Sequence, residues 1–310
     1  MKTIKLFWYK HPKGKGNFGD ELNPYIISRL SDQKIEYTNI KLLNDKKWNA
    51  FIILLKELLK NRLSIKCFFQ YLNFNFFSKP DILLSIGSVL QFNNYSNCTV
   101  WGSGTIAKRH AFKNANFLAV RGKYTQEKLK ELGYTVPSII GDPAVLLPMV
   151  YIPKLEKKYK LGIIPHYAHY DDIKSRVSDE ILVINLLDDI EDIIDLIVSC
   201  ELTLSTSLHG IIVSHSYKVP SLWAYFTETK ERLYGDNIKF KEYFSSVDLT
   251  EYETIEITSI ENINIETIFR QIDSNYKNEV LPKKNVIEKL QKNLLSVAPF
   301  KLKNEFEKFS

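Results

Sequence analysis

The segment Ser205-Thr206-Ser207-Leu208-His209-Gly210-Ile211-Ile212-Val213 holds the densest chemistry in the chain. The apolar run before it predicts a strand that ends at hydroxyl residues able to cap a following helix. Such a helix N-terminus offers free N–H groups and a positive dipole end to an anion. His209 falls in the first turn, where an imidazole can give a proton to a bound molecule or take one from it. Gly210 beside it would let a ligand approach the main chain closely. The plainer alternative is a core histidine with a satisfied hydrogen bond.

Arg121 follows the apolar run Phe117–Val120 and precedes Gly122 and a helical segment, which places it at the carboxyl edge of a parallel sheet as an anion clamp. A surface arginine paired with a helix carboxylate is the alternative. Asn17-Phe18-Gly19-Asp20, after the loop His11-Pro12-Lys13-Gly14-Lys15-Gly16, has the form of a ligand loop opening a helix. It matches neither the dinucleotide G-x-G-x-x-G nor a phosphate loop ending in G-K-S/T, and a plain connector is the other reading. Gly87-Ser88 and Gly102-Ser103-Gly104-Thr105 each follow a strand-like run, so with the first two loops they put glycines along one edge, as a bound sugar or nucleotide requires. His166 and His169 follow Gly162-Ile163-Ile164-Pro165, with Asp171 and Asp172 nearby. H-x-x-H in a loop without a third ligand is poor grounds for a metal, so no metal or other cofactor is expected and His166 is read as facing the ligand. Lys230, Arg232, Lys239 and Lys241 alternate with Tyr234, Phe240, Tyr243 and Phe244, either adding positive charge to the same cleft or forming a solvated helix face.

These residues need a frame, and the chain is large enough to build one. It has 310 residues, 45% hydrophobic and 25% charged, the balance of a globular protein and not of a disordered one. Strand-like runs alternate with amphipathic segments throughout, which predicts α/β architecture with two Rossmann-like parallel-sheet lobes facing across a cleft. Residues 1–150 are expected to form the first lobe, residues 151–285 the second and residues 286–310 a helical tail. Strands are predicted at Ile4–Tyr9, Ile82–Ile86, Thr99–Trp101, Phe117–Val120, Lys160–Ile164, Ile181–Ile184, Leu202–Ser205 and Ser221–Tyr225. Helices are predicted at Glu21–Leu30, Trp48–Leu59, Tyr124–Leu132, Ile190–Ser199, Leu208–Tyr217, Glu266–Tyr276 and Val286–Leu295. The prolines at 143, 148 and 153 mark Pro143–Leu161 as an interdomain linker.

Lys and Arg number 42 against 36 Asp and Glu, a net charge of +6 that favours small anionic partners. The lysines are spread along the chain with no obvious nucleic-acid stripe. Cys67, Cys98 and Cys200 lack metal or disulfide spacing, the N-terminus lacks a signal-peptide pattern, and no apolar run is long enough to span a bilayer. A cytoplasmic protein is expected. The uncharged aromatic run from Cys67 to Phe77 is read as lobe core, or alternatively as a surface touching lipid or a partner, because lysines flank it as at a membrane interface. Peripheral contact with the inner membrane face is the corresponding expectation.

Taken in order, Asn17-Phe18-Gly19-Asp20-Glu21-Leu22-Asn23-Pro24, Trp101-Gly102-Ser103-Gly104, Ala119-Val120-Arg121-Gly122, Gly141-Asp142-Pro143-Ala144, Pro165-His166-Tyr167 and Ser207-Leu208-His209-Gly210 resemble the polysaccharide pyruvyl transferase family. The resemblance implies a GT-B-like fold and transfer of the enolpyruvyl unit of phosphoenolpyruvate onto two hydroxyls of a sugar. The acceptor would be a bacterial-type surface polysaccharide, capsule or exopolysaccharide, or its lipid-linked precursor. It also implies His209 as general acid and Arg121 as donor-binding arginine. Many members carry arginine where this chain has Ser207, so another cation must substitute, with Lys230 and Lys239 as candidates. Phosphoenolpyruvate would then bind around Arg121, Ser207, Leu208, His209, Gly210, Lys230 and Lys239. The acceptor would lie against Asn17, Gly19, Asp20, Gly87, Ser88, Gly102, Ser103, Gly104 and His166, with Asp20 or His166 orienting or deprotonating the attacking hydroxyl. A nucleotide-sugar glycosyltransferase on the same frame and a non-catalytic oligosaccharide-binding module are the competing readings.

Overall fold

The computed structural model describes residues 3–10, 16–154, 156–229 and 236–308. The first lobe is a six-stranded parallel sheet of β1 (Ile4–Phe7), β2 (Ile35–Tyr37), β3 (Ile82–Leu84), β4 (Cys98–Trp101), β5 (Asn116–Val120) and β6 (Ile139–Ile140). The second is a five-stranded parallel sheet of β7 (Tyr159–Ile164), β8 (Leu182–Val183), β9 (Cys200–Ser205), β10 (Ser221–Phe226) and β11 (Ile255–Ile257). The strand orders are β2-β1-β3-β4-β5-β6 and β11-β10-β9-β7-β8. The two orders share one logic. In each lobe the second strand lies outside the first, and the third pairs on the first strand's other side, with Leu6 opposite Leu83 and Ile163 opposite Leu204. The chain therefore reverses direction across the sheet between β1 and β3 and again between β7 and β9. Open sheets of this kind bind ligands at that crevice, beyond the carboxyl ends of the strands.

Connecting these strands are helices α1 (Phe18–Leu30), α2 (Lys47–Leu59), α3 (Ile65–Asn73), α4 (Lys123–Glu131), α5 (Leu147–Val150), α6 (Tyr170–Lys174), α7 (Ile190–Val198), α8 (Leu208–Ser216), α9 (Ile238–Ser246), α10 (Ile265–Asn275), α11 (Lys284–Ser296) and α12 (Asn304–Glu307). The expected strands and helices appear with ends moved by a few residues. Strands β2, β6 and β11 had no counterpart in the sequence reading; two or three residues are too few to show a period.

Only the later part of Pro143–Leu161 is linker: residues 151–154 and 156–158 are irregular and mostly exposed between α5 and β7. Pro143–Leu146 is a 3-10 turn capped by the Asp142 carboxylate, and Ala144 through Leu147 are fully buried between the lobes. The prolines fit because Pro143 and Pro148 stand in the opening positions of helical turns, where a missing N–H leaves nothing unsatisfied. One apolar core runs through both lobes, joining Leu6, Leu22 and Trp101 of the first to Ile211, Ile212 and Tyr243 of the second. After the second sheet the chain returns to the first lobe: Trp101 Nε1 donates to Leu294 O at 2.9 Å and Gln291 Nε2 to Val145 O at 2.7 Å.

The aromatic run Cys67–Phe77 does not form lobe core throughout. Tyr71 and Phe74 are buried, whereas Phe69 and Phe77 face solvent.

Helix α1 carries Pro24 in its interior, which removes an N–H that would have bonded Asp20 O. Asn23 Nδ2 takes that place at 3.1 Å and also donates to Ile86 O at 2.9 Å, while its Oδ1 accepts from Ile86 N at 2.8 Å. One buried amide thus fastens the start of α1 to the segment leaving β3. Asn23→Ala leaves Ile86 N and O unsatisfied in the interior, and each such group costs roughly 1–3 kcal/mol. Urea unfolding should register a loss of roughly 2–6 kcal/mol for the variant, with the denaturant slope unchanged.

Candidate active site

Between the two sheets lies a cleft of ≈ 820 Å³ lined from both lobes by Tyr9, Asn17, Asp20, Gly87, Ser88, Phe92, Arg121, His166, Ser207, Leu208, His209 and Lys239, among others. Its walls are the segments leaving β1, β3, β5, β7 and β9, so the two crevices face one ligand space. A hollow of similar size, ≈ 840 Å³, lies under the opposite edge of the first sheet beside Lys5, Asp81 and Phe300. It contains no histidine and is on the side where open parallel sheets do not bind.

His209 opens α8, a short segment after β9. Its Nε2 lies 3.7 Å from Asp142 Oδ2, and both atoms are buried without a hydrogen bond. The other Asp142 oxygen accepts from Ala144 N at 3.0 Å, which fixes the carboxylate in place. A fixed carboxylate facing the ring holds the imidazole in one orientation, which a proton-transferring group requires. Gly19 is what lets the ring sit there: a Cβ at that position would overlap His209 Nδ1. Gly19 therefore makes room for the His209 ring and is absent from the cleft lining.

Helix α8 begins without a side-chain cap. Contrary to the expected capping, Ser205 Oγ accepts from Ser207 N at 3.0 Å and Thr206 Oγ1 from His166 N at 2.7 Å, so these hydroxyls tie together the ends of β9 and β7. The start of α8 lines the cleft at Ser207, Leu208 and His209 with no side-chain cap, and an uncapped helix start favours an anion. Gly210 serves packing and not ligand access, because a Cβ there would overlap Ser205 Oγ and press on Ile164.

Asp20 and Lys239 line the cleft from opposite lobes and lie within electrostatic reach of each other. Burial, reinforced by the neighbouring Glu21, pushes the Asp20 carboxyl up to about 7, although Asn17 donates to it and Lys239 and Lys41 oppose the rise. Burial also lowers the Lys239 ammonium to about 8, with Arg121 adding repulsion and Asp20 attraction. His166 is pushed down to about 4 by burial and by Lys239 and His169, so it is neutral at pH 7 and accepts from Ala168 N through Nδ1 at 3.3 Å.

Arg121 is not the open clamp that its position suggested. Its side chain and that of Glu242 on α9 are both wholly buried. Arg121 Nε and Nη2 donate to Glu242 Oε2 at 3.2 and 2.8 Å, Nη2 also to Thr105 O at 2.6 Å, and Nη1 to Ser88 Oγ at 2.9 Å. Glu242 Oε1 in turn accepts from Thr125 N at 2.9 Å. Arg121 forms the cleft floor and presents Ser88 to the ligand.

The Gly102-Ser103-Gly104 loop lies behind that floor and does not line the cleft. Ser103 Oγ donates to Gly87 O at 2.8 Å, holding Gly87 in its left-handed turn at φ +101°, and a Cβ at Gly104 would intrude on the Arg121–Glu242 pair. Lys230 lies outside the described residues.

Five contributors escaped the sequence reading. Asp142 had a signal, since it lies in one of the quoted tetrapeptides, but nothing local pointed it at His209. Glu242 had none, being one glutamate in an amphipathic helix. Lys41 lies over the stacked rings of Tyr9 and Phe92, 4.6 and 4.0 Å from their centroids, and brings a further cation near Asp20. Tyr9 and Phe92 themselves supply an apolar platform in the cleft.

The profile of a family described as polysaccharide pyruvyl transferase matches residues 17–225 of this chain. Uncharacterized protein L143 of Acanthamoeba polyphaga mimivirus is 34% identical over 247 residues, 72% of this chain and 81% of that protein. Among solved structures, E. coli heptosyltransferase WaaC with ADP-2-deoxy-2-fluoro heptose aligns over 88% of this chain and 100% of its own, at a TM-score of 0.35 and 9% identity, a likeness too slight to carry argument.

Two consequences follow for substitutions. Arg121→Met strands the buried Glu242 carboxylate and should cost about 3–5 kcal/mol, while Arg121→Met with Glu242→Leu should recover most of that loss in a denaturation series. Gly19→Ala should leave the melting temperature within a few degrees of wild type but reduce turnover about 100-fold by displacing His209.

Proposed function

The chain belongs to the polysaccharide pyruvyl transferase family, and from that membership we propose that it moves the enolpyruvyl unit of phosphoenolpyruvate onto two hydroxyls of one sugar in a surface polysaccharide or its lipid-linked precursor, releasing phosphate and leaving a cyclic ketal. The observation that carries this reading is the pairing of His209 with the buried, otherwise unbonded oxygen of Asp142 in a cleft that also holds Asp20 and Lys239.

The His209 imidazolium gives its proton to the methylene carbon of phosphoenolpyruvate, which becomes the methyl group, and positive charge develops at the adjacent carbon. The first sugar hydroxyl adds to that carbon and loses its proton to the Asp20 carboxylate. The carbon–oxygen bond to phosphate then breaks with its electron pair going to phosphate. The second hydroxyl closes the ring, and its proton leaves on the phosphate. Asp20 releases its proton to solvent and His209 regains one, so protons balance over the cycle. Lys239, Lys41 and the uncapped start of α8 supply positive potential for the donor's phosphate and carboxylate. Ser88, Asn17, neutral His166 and the Tyr9–Phe92 platform suit a sugar, which presents hydroxyls along its edge and an apolar face.

The test is phosphate release and the mass gain of a nitrophenyl sugar incubated with phosphoenolpyruvate. His209→Gln should lower kcat by roughly 10²–10⁴-fold with little change in phosphoenolpyruvate binding. Unchanged turnover in that variant would remove the proposed acid. Release of a nucleoside diphosphate from a nucleotide sugar, without consumption of phosphoenolpyruvate, would replace the reaction altogether. The pH profile follows from the two shifted groups. Asp20 is negative above about 7 and Lys239 positive below about 8. Thus kcat/KM should rise toward pH 7 as Asp20 ionises and fall above 8 as Lys239 loses its charge, and Lys239→Arg should remove the lysine's contribution to the alkaline fall.

A further inference from the structure

The helical pair α2–α3 has an outer face that the reaction does not use. Trp48, Leu59, Ile65, Phe69 and Phe77 are 62% to 77% exposed, and Leu55 joins them. In α2, Trp48, Leu55 and Leu59 recur every seven and four positions, which aligns them along one side of the helix. Ala50 and Leu54 occupy the opposite side and are the buried residues of α2. The helix is therefore apolar on two faces, and the lobe covers one. Phe51 of α2 meets Phe68 of α3 edge to face at 6.4 Å, which joins the two helices into a single projection.

Charge marks the same place. Residues 46–79 contain Lys46, Lys47, Lys56, Lys60, Arg62, Lys66 and Lys79 against one acidic residue, Glu57. The stretch carries +6, equal to the net charge of the entire chain, so the remainder is electrically balanced. All seven basic residues are exposed. None forms a salt bridge among the described residues. On α2 the bases at 47, 56 and 60 border the apolar stripe, as on helices that lie in the plane of a bilayer surface.

We infer that α2 and α3 dock the protein on an anionic phospholipid surface, the Trp, Phe, Leu and Ile side chains entering the headgroup boundary while the lysines meet lipid phosphates. A second copy of the chain fits this face poorly, because a two-fold contact would set +6 against +6. No helix of the described residues is long and apolar enough to cross a membrane, so the contact is peripheral. The docking face also connects to the cleft. The turn Ile40–Leu42 precedes α2 by a few residues, and its Lys41 lies over Tyr9 and Phe92 at the cleft wall. An acceptor held in the membrane by a lipid would thus be presented on the first-lobe side. The docking itself does not depend on the reaction proposed above.

Cosedimentation of the full chain with vesicles decides the matter. The protein should pellet with phosphatidylcholine mixed with phosphatidylglycerol, stay in solution with phosphatidylcholine alone, and be released by salt. Trp48→Ser with Phe69→Ser, and separately Lys46→Glu with Lys60→Glu and Lys66→Glu, should each weaken partitioning by about tenfold or more. Both sets lie on the surface and outside the catalytic machinery, so circular dichroism and turnover of a soluble acceptor should match wild type. Wild type remaining in solution with the anionic vesicles would overturn the inference. So would variants that pellet like wild type, or light scattering that shows a dimer split by these substitutions.

Discussion

The buried ion pair of Arg121 and Glu242 is the constraint on which the cleft depends. Taking both charges out of water costs several kcal/mol per ion, so the pair is tolerable only if nearly every donor and acceptor finds a partner. Here they do. Ser88, Thr105 and Thr125 complete the set, and they come from the segments after β3 and β4 and from α4, while Glu242 arrives from α9 of the other lobe. A shift of either lobe would break several of these bonds in a medium where no water can replace them. The pair therefore fixes the relative position of the two strand-end crevices. Gly104 and Gly122 belong to the same device, since a side chain at either would strike the pair or the helix that carries Glu242.

With the lobes held, the cleft concentrates groups whose charge is costly to bury. Burial moves Asp20 upward and Lys239 downward until both lie close to neutral pH, and it keeps His166 uncharged. Groups poised in this way exchange protons with small driving force in either direction, which is what acid–base chemistry on a bound substrate needs. His209 is treated differently. It faces a rigidly held carboxylate whose second oxygen has no hydrogen-bond partner, so the ring is oriented by position.

Much of this was legible before any coordinates. Alternating apolar runs and amphipathic segments announced two parallel sheets, and the strand-to-helix junctions suggested one cleft for His209, Asp20, Asn17, Gly87, Ser88 and His166, all of which line it; Lys239 also lines it, where its own segment had left a solvated helix face equally open. The errors have a common origin. Arg121 was read as a clamp because its junction position was visible while its partner, 121 positions away, was not. Gly19, Gly102, Gly104 and Gly210 were read as ligand contacts because glycine at a loop signals close approach without saying what approaches; it is His209, Pro143, the ion pair and Ser205 that do. The first part of Pro143–Leu161 was read as linker because prolines punctuate linkers and also open helical turns.

What the sequence by itself determined is the succession of elements, since strand and helix periods are written in consecutive residues, and with it the edge of each sheet where reactive side chains collect. What only the tertiary structure decided is which of those side chains is free and which is already bonded. Pairing of His209 with Asp142 and of Arg121 with Glu242, and the placing of Asp20 and Lys239 in one cleft, are set by how two separately wound sheets pack through a shared apolar core. Contacts of that kind join residues distant along the chain, and no local spacing encodes them.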